Sequence, residues 1–207
     1  MKKYCIAFLA LTFFYSCQNS NHSSASNSIV DSSLSKQTKP NNFFVIPAES
    51  IFKLTDTFKT QQNNNFVLAS LAGKPTVLGM VFTNCGYACP RLTSDMKNIA
   101  EKLNSNRQKV NFVLVSFDSK RDTPPQLQKF AKQMELDSNW ILLHGNDETV
   151  RTLSVLLNVQ FEKDAEGNFS HSNIITVLGK NGLIKFQKEG LEADHAETLV
   201  KINGLIN

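Results

Sequence analysis

The chain has 207 residues, of which 41% are hydrophobic and 19% charged, and it carries a formal net charge of +4. This length and composition predict one folded domain of ordinary size and exclude fibrous and largely disordered proteins. Basic and acidic residues are interspersed, as in Lys120-Arg121-Asp122, and the surplus charge is small, so we expect no nucleic-acid partner.

Residues 1–16 have the pattern of a secretory signal peptide. Lys2 and Lys3 precede an apolar run of about a dozen residues that ends before the small residue Ser16. A transmembrane helix needs ~20 apolar residues, so this run is too short to favour a membrane-spanning anchor. We interpret residues 1–16 as a cleaved leader, which places the mature protein in a compartment that permits disulfides.

Cys17 directly follows the leader, and this arrangement resembles a bacterial lipoprotein. The resemblance implies a lipoprotein-type signal peptide, cleaved before Cys17, and attachment of a lipid to that cysteine. An ordinary leader followed by a spare cysteine is the alternative. Residues 17–42 are rich in Ser and Asn and almost free of large apolar side chains, which predicts a flexible tether. The expected location is the periplasmic face of the cell envelope, where the lipid anchors the protein to the membrane.

Residues 43–207 have the pattern of an α/β domain. Segments 52–56 and 66–71 flank a polar turn and predict an N-terminal β-hairpin. Segment 76–82 is a continuous apolar run, which is typical of a central strand covered on both faces.

The middle of the domain alternates helices and strands. Apolar residues at helical spacing from 92 to 103 predict a first helix, and segment 110–117 predicts the next buried strand. A second helix starts near Thr123, because Pro124 suits a first helical turn. Another strand is predicted to begin at Trp140, which we interpret as a core residue. Positions 150, 153 and 157 are predicted to form the inner face of a third helix.

The tail adds strands at 159–162, 174–178 and 183–186 and a last helix over about 192–202. Asn181-Gly182 predicts a tight turn between the last two strands. The whole order is that of a thioredoxin-like fold, with an N-terminal hairpin, a central mostly parallel sheet and a C-terminal hairpin plus helix.

Cys85 and Cys89 lie between the first central strand and the first long helix. A thiolate near a helix N-terminus is stabilised, which improves it as a nucleophile and as a metal ligand. If the segment is helical, residues four apart lie about 6 Å apart at Cα on one face. The pair could then hold one soft ion or close into a disulfide. A merely stabilising disulfide is the alternative, although so short a loop gains little stability from it.

Two thiolates leave a metal under-coordinated, so a third nitrogen or sulfur donor is expected. His22 lies in the tether, and His144 and His195 are interpreted as solvated or edge residues. His171 directly precedes strand 174–178, and in a thioredoxin-like fold that segment packs beside the cysteine loop. From position alone, His171 is either a ligand or an ordinary surface-loop histidine.

The segment after the strand at 110–117 is rich in charged residues, of which Asp118, Arg121 and Asp122 are candidates for a role near the cysteines. Asp118 could steer a metal or a partner, but its position favours a capping or turn role. Arg121 and Asp122 are interpreted as loop structure, paired with each other or with the backbone near Pro124.

Five short motifs resemble those of the Sco/SenC family of thioredoxin-like copper chaperones, and the resemblance extends from about residue 51 to the end of the sequence. They are Gly-Lys-Pro at 73–75, Phe-Thr-Asn-Cys at 82–85 with Cys-Pro at 89–90, Val-Ser-Phe-Asp at 115–118 with Arg-Asp-Thr-Pro at 121–124, Trp140 with Leu-Leu at 142–143, and His-Ser-Asn at 171–173. The resemblance implies that Cys85, Cys89 and His171 bind copper. It also implies a role in loading the dinuclear copper centre of cytochrome c oxidase or a related respiratory enzyme.

Two redox functions are the rivals. In a thiol:disulfide oxidoreductase Cys85 would attack and Cys89 would resolve, for instance to reduce the cysteines of a copper-site target. Three residues separate these cysteines instead of two, and Ser172-Asn173 stands where a proline is expected. A peroxiredoxin carries a Thr three residues before its thiol, whereas Thr83 lies two residues before Cys85.

Overall fold

The computed structural model describes residues 46–206. The predicted leader, the tether, Cys17 and His22 therefore lie outside the described residues. In the described range, the α-helices are α1 (Ala88–Lys102), α2 (Pro124–Gln133), α3 (Asp147–Leu156) and α4 (Ala196–Ile206). The strands are β1 (Phe58–Thr60), β2 (Asn65–Phe66), β3 (Thr76–Val81), β4 (Asn111–Ser116), β5 (Trp140–His144), β6 (Phe161–Lys163), β7 (Phe169–His171), β8 (Ile174–Leu178) and β9 (Ile184–Glu189).

Seven of these strands form one sheet in the order β2-β1-β5-β4-β3-β8-β9. The three central strands β5, β4 and β3 are parallel, and β1, β2, β8 and β9 extend the sheet through antiparallel pairings. Strands β6 and β7 form a separate two-stranded sheet. This mixed α/β architecture confirms the predicted thioredoxin-like fold, with its parallel part confined to the centre of the sheet.

The core lies around β3 and β4. Every residue of β3 is buried, as the continuous apolar run predicts for a strand covered on both faces. The apolar stripe of α1 is also buried, with Leu92, Met96 and Ile99 all at 0% exposure. Trp140 is 2% exposed and packs on Phe112, which confirms its prediction as a core residue. Burial of each such large side chain contributes about 1.5–3 kcal/mol to folding.

The N-terminal hairpin is present, but its strands lie elsewhere than predicted. Residues Ile51–Lys53 and Leu68–Leu71 form 3-10 helices, and the hairpin consists of the short strands β1 and β2 between them. The backbone N–H of Phe52 bonds to the Ser50 hydroxyl at 3.0 Å, which stabilises the first turn. The same segment packs on Gly182, where an added Cβ would approach the Phe52 ring to 2.6 Å. Gly182 also has a positive φ of 78°, so glycine suits this turn on both counts.

The last helix starts at Ala196, four residues later than predicted. Glu192 has a left-handed backbone with φ of 53°, which is incompatible with a helix. Its N–H bonds instead to the carboxylate of Asp95 on α1, at 2.8 Å. Within residues 46–206, none of the helices is long and apolar enough to cross a membrane.

Candidate metal centre

Cys85, Cys89 and His171 come together at one end of the sheet. Their two sulfur atoms and one ring nitrogen all lie within 4.8 Å of one another. Three donors that surround one metal ion at about 2.0–2.3 Å lie roughly 3.3–4.0 Å from one another. The Cys89 sulfur and the His171 Nε2 are already 3.5 Å apart, and a local adjustment of the cysteine loop brings Cys85 to the same range. The structure thus unites the three residues that the sequence singles out.

The two cysteines lie on different local structures. Cys85 belongs to the loop that follows β3, and Cys89 lies in the first turn of α1, so the condition that the whole segment be helical is not met and the two cysteines do not share a helical face. The Tyr87 backbone, with φ of −136° and ψ of −68°, is not helical and delays the start of the helix. The Cys89 N–H donates to the Cys85 sulfur at 3.3 Å. The Cys85 side chain therefore accepts from one of the free N–H groups at the start of α1.

The two thiols differ in acidity. Burial acts to raise the pKa of Cys85, but N–H groups of Cys89, Tyr87 and Ala88 bond to its sulfur and hold that pKa below its usual value. Burial raises the pKa of Cys89 far above the usual range, against the opposing hydrogen bond from the Phe82 N–H at 3.3 Å. Cys85 is also partly exposed, whereas Cys89 is fully buried. Cys85 is therefore the thiol that deprotonates first and is reached first from solvent.

His171 ends β7, and its ring is held in one tautomer. Its Nδ1 lies 3.1 Å from the backbone carbonyl oxygen of Ser172. A carbonyl only accepts, so Nδ1 carries the proton and Nε2 presents its lone pair. That Nε2 faces the Cys89 sulfur at 3.5 Å. Burial lowers the pKa of His171 and outweighs the Ser172 carbonyl, so the ring stays neutral, as a metal ligand must be.

Aromatic rings enclose the imidazole. The ring of Phe117 lies 4.9 Å from the His171 ring, and Phe82 meets it edge-on at 6.2 Å. Phe169 packs on both phenylalanines, at 5.0 and 5.1 Å. This apolar shell limits rotation of the imidazole and shields it from water. The sequence analysis gave these rings no role at the site, although Phe82 and Phe117 belong to two of its motifs.

Comparison with known proteins identifies the family of the chain. The model of the SCO1/SenC family matches residues 47–207. The chain belongs to the SCO1/SenC family. A curated relative, the SCO1 protein homolog of Bacillus subtilis, is 29% identical over 140 residues, which cover 66% of this chain and 72% of the relative.

Two solved structures extend the likeness. A SCO1/SenC family lipoprotein from Bacillus anthracis is 26% identical, with a TM-score of 0.69 over 74% of this chain and 94% of that chain. ScoI of Bradyrhizobium japonicum, solved with copper bound, is 20% identical, with a TM-score of 0.63 over 72% of this chain and 96% of that one. The second likeness shows a shared fold.

Asp122 secures the cysteine loop of this SCO1/SenC protein. The residue is fully buried and accepts from the N–H and the hydroxyl of Thr83, at 2.8 and 2.6 Å, and from the Ser116 hydroxyl at 2.6 Å. Burial raises the pKa of Asp122, although these three hydrogen bonds oppose the rise. The prediction that Asp122 pairs with Arg121 or with nearby backbone is wrong. Thr83 follows β3 and Ser116 ends β4, so it is the parallel pairing of these two strands that brings both residues to Asp122.

Asp118 and Arg121 brace the hairpin that carries His171. Asp118 is 1% exposed, forms an ion pair with Arg121, and accepts from the Arg121 backbone N–H at 3.3 Å. This confirms the predicted turn role of Asp118. Lys163 of β6 lies 3.9 Å from the same carboxylate, and the Arg121 guanidinium also donates to the Gly167 carbonyl. The loop after β4 is thereby tied to both sides of the β6–β7 turn.

Arg91 covers the exposed side of the cysteine loop. Its guanidinium stacks on the Tyr87 ring at 3.7 Å and donates to the Tyr87 carbonyl at 3.3 Å. It also pairs with Glu192 at 3.1 Å. Tyr87 itself is 64% exposed, so an aromatic side chain stands at the rim of the centre.

The remaining histidines lie outside the cluster. His195 is 4% exposed and lies 3.7 Å from the buried Asp95 carboxylate, so the interpretation of His195 as solvated is wrong. The charged residues around it in the sequence concealed its burial, which depends on the packing of α1 and α4. His144 is half-buried at the last position of β5, where it lies opposite Lys59 of β1.

Proposed function

We propose that this chain is a copper metallochaperone that binds copper through Cys85, Cys89 and His171. The observation that carries the proposal is the convergence of two sulfur donors and one imidazole nitrogen within 4.8 Å. Soft thiolates with an imidazole select copper or zinc among the common metals. Family membership and the copper held by ScoI of Bradyrhizobium japonicum support copper.

Each donor has a distinct part in capture. Cys85, with its lowered pKa and partial exposure, offers the first thiolate to an incoming ion. Cys89 is protonated in the free protein, so its coordination releases a proton. His171 needs no proton loss, because its Nε2 lone pair already points into the cluster. Three protein donors leave room for a donor from an acceptor, which permits transfer by ligand exchange.

The acceptor that we propose is the dinuclear copper centre of cytochrome c oxidase or the copper site of a related respiratory enzyme. The resemblance of the sequence motifs to the Sco/SenC family supports this choice. We also propose that the protein works at the periplasmic face of the cell envelope, anchored by a lipid on Cys17 and spaced by the tether at 17–42. The leader pattern supports the anchor, and the Bacillus anthracis relative is a lipoprotein.

A thiol:disulfide oxidoreductase that reduces cysteines of a copper-site target is the second candidate. The unequal acidity of Cys85 and Cys89 favours it, because one thiol can attack and the other resolve. An extended substrate peptide would need free backbone groups beside the thiols. Those of Ser172 are already used, since its N–H donates to the Gln160 carbonyl at 2.9 Å and its carbonyl bonds to His171. Copper binding therefore explains more of the site.

The variant His171→Ala separates the two functions. Loss of a partner that merely orients a ligand costs about 10–100-fold in metal affinity, so loss of a direct ligand should cost at least as much. Copper affinity would be measured by competition with a chelator, and thiol activity by the rate of reduction of a model disulfide. We expect weak copper binding with thiol activity retained. The matched control is His144→Ala, which removes a half-buried histidine outside the cluster.

Unchanged copper affinity in His171→Ala would refute the metallochaperone proposal. Equal losses in His171→Ala and His144→Ala would also count against it, because they would indicate a general structural effect. Strong copper binding that depends on His171 would leave the oxidoreductase as a secondary activity.

A further inference from the structure

A groove of about 920 Å³ opens beside the metal centre, between the C-terminal end of α3 and the β6–β7 hairpin. His171 forms part of its wall together with its neighbours Ser170 and Ser172. The opposite wall comes from α3, where Val155 is 75% exposed. A large cleft thus borders directly on one of the three donor residues.

The wall of the groove is connected to His171 through contacts between aromatic rings. The ring of Phe161 lines the groove and stacks on Phe117 at 5.2 Å, with an angle of 16° between the planes. Phe117 in turn contacts the His171 ring at 4.9 Å. Arg151 lies over the Phe161 ring, 5.0 Å from its centroid. A molecule bound against Phe161 would therefore act, through Phe117, on the position of the His171 ring.

The lining favours a peptide over other ligands. It contains several neutral hydrogen-bonding side chains, among them Asn158, Gln160 and Ser170. Its charged members are of both signs, Arg151 against Glu162 and Glu189, which suits neither a phosphate nor a polyanion. Amide and hydroxyl groups complement the donors and acceptors of an extended backbone, and the exposed Val155 offers an apolar contact.

The hairpin also offers a strand edge. Among the described strands, β6 pairs with β7 alone, so the two-stranded sheet they form is not extended by a further strand. An exposed edge of this kind is a template for main-chain pairing with a second protein. Both strands of the hairpin contribute residues to the groove.

We propose that this groove is the docking surface for an extended loop of the protein that accepts the copper. The inference rests on the proposed function. Copper can pass only when a donor of the acceptor reaches the ion while this chain still holds it. Approach past Cys89 is closed, because that residue has no exposed surface, so the acceptor must arrive on the side of Cys85 or of His171, which are both partly exposed. The groove adjoins His171. A loop lying in the groove reaches the ion from the side of His171, which makes His171 the first ligand to be replaced.

The test measures the rate of copper transfer from the copper-loaded full chain to a purified oxidase subunit. This subunit is prepared with its dinuclear copper site empty. Ser170→Arg places a long charged side chain in the groove at an exposed position, and Ser105→Arg is the matched control at an exposed position beyond the far end of α1. A second pair is Val155→Asp in the groove and Val200→Asp, at a valine of α4 that is 69% exposed. Copper affinity and transfer to a small chelator are measured for all four variants.

We expect both groove variants to bind copper and to supply the chelator as the wild type does. They should require about tenfold or more acceptor for half-maximal transfer, the scale of losing one central interface contact. The two controls should match the wild type throughout. The docking proposal would be overturned if both groove variants required the same acceptor concentration as the wild type. It would also be overturned if the groove variants lost copper affinity. A wild-type chain that binds no copper would instead refute the proposed function.

Discussion

The Asp122 carboxylate accepts two hydrogen bonds from Thr83, one from its backbone N–H at 2.8 Å and one from its hydroxyl at 2.6 Å. Thr83 lies two residues before Cys85, so this contact fixes the start of the cysteine loop. A third bond, from Ser116, joins the same carboxylate to the end of β4. The thiol pair is thereby positioned by a buried carboxylate that lies outside the cluster of Cys85, Cys89 and His171.

The variant Thr83→Val should destabilise the protein by about 1.5–3 kcal/mol, because it removes a hydrogen bond to a buried charged group and leaves the shape of the side chain unchanged. Urea unfolding would measure the free energy. Thr152→Val is the control, at an exposed threonine of α3, and should stay within ~0.5 kcal/mol of the wild type. Equal stability of the two variants would show that the hydroxyl of Thr83 contributes nothing.

Alkylation should distinguish the two thiols. The pKa of Cys85 is below its usual value, so Cys85 should still react as thiolate at pH values below ~8.5, where an ordinary thiol is mostly protonated. Its rate should fall only when the pH drops below that lowered pKa. Cys89 should react far more slowly across the whole range, because burial raises its pKa and hides it from solvent.

The rates would be measured by mass spectrometry of peptides after timed exposure to iodoacetamide between pH 5 and 9. Urea-unfolded protein is the control, in which both thiols should titrate alike near ~8.5. A faster reaction at Cys89 than at Cys85 in the folded protein would contradict the assignment.

Mild oxidation should close Cys85 and Cys89 into a disulfide. Both thiols are free in the structure, and their sulfur atoms lie no more than 4.8 Å apart, so a rearrangement of the cysteine loop can bring them to bonding distance. Non-reducing peptide mapping would detect a linked peptide, which dithiothreitol should abolish. Cys85→Ser provides the negative control. Two thiols that remain free after oxidation, while a model dithiol is oxidised, would count against the prediction.

Cys17→Ser should release the protein from membranes without unfolding it. Cys17 is the proposed lipid attachment site, and the tether at 17–42 carries too few apolar side chains to belong to a core. Cell fractionation would measure the membrane-bound fraction, and thermal unfolding of the released protein would test its fold. Cys5→Ser, within the leader, is the control and should leave membrane attachment unchanged. Firm membrane binding of Cys17→Ser would eliminate the lipoprotein hypothesis.

The local sequence pattern was sufficient to predict a helix or strand wherever the segment is buried along its own length. The apolar run of β3, the stripe of α1 and the Thr123-Pro124 start of α2 each fix an element through its immediate neighbours. The cysteine pair was also evident from the sequence, since its spacing after a buried strand is itself local. His171 differs, because its position in the sequence left open whether it is a metal ligand. Only the resemblance to a family indicated that role.

Short apolar segments were placed wrongly for a definite reason. The residues of the 3-10 helices at Ile51–Lys53 and Leu68–Leu71 are as apolar as strand residues, and so few positions cannot reveal a period. Their conformation depends on distant contacts, such as the packing of Phe52 against Gly182.

The sequence by itself therefore determined the order of the main strands and helices, the thiol pair and, through its motifs, the family. Only the tertiary structure decided that Asp122 holds Thr83 across 39 positions of chain, that His195 is buried against Asp95, and that a groove borders His171. Secondary structure follows from periodicity among neighbouring residues. A hydrogen bond to a buried carboxylate depends instead on which strands meet at one edge of the sheet, and no local pattern records that.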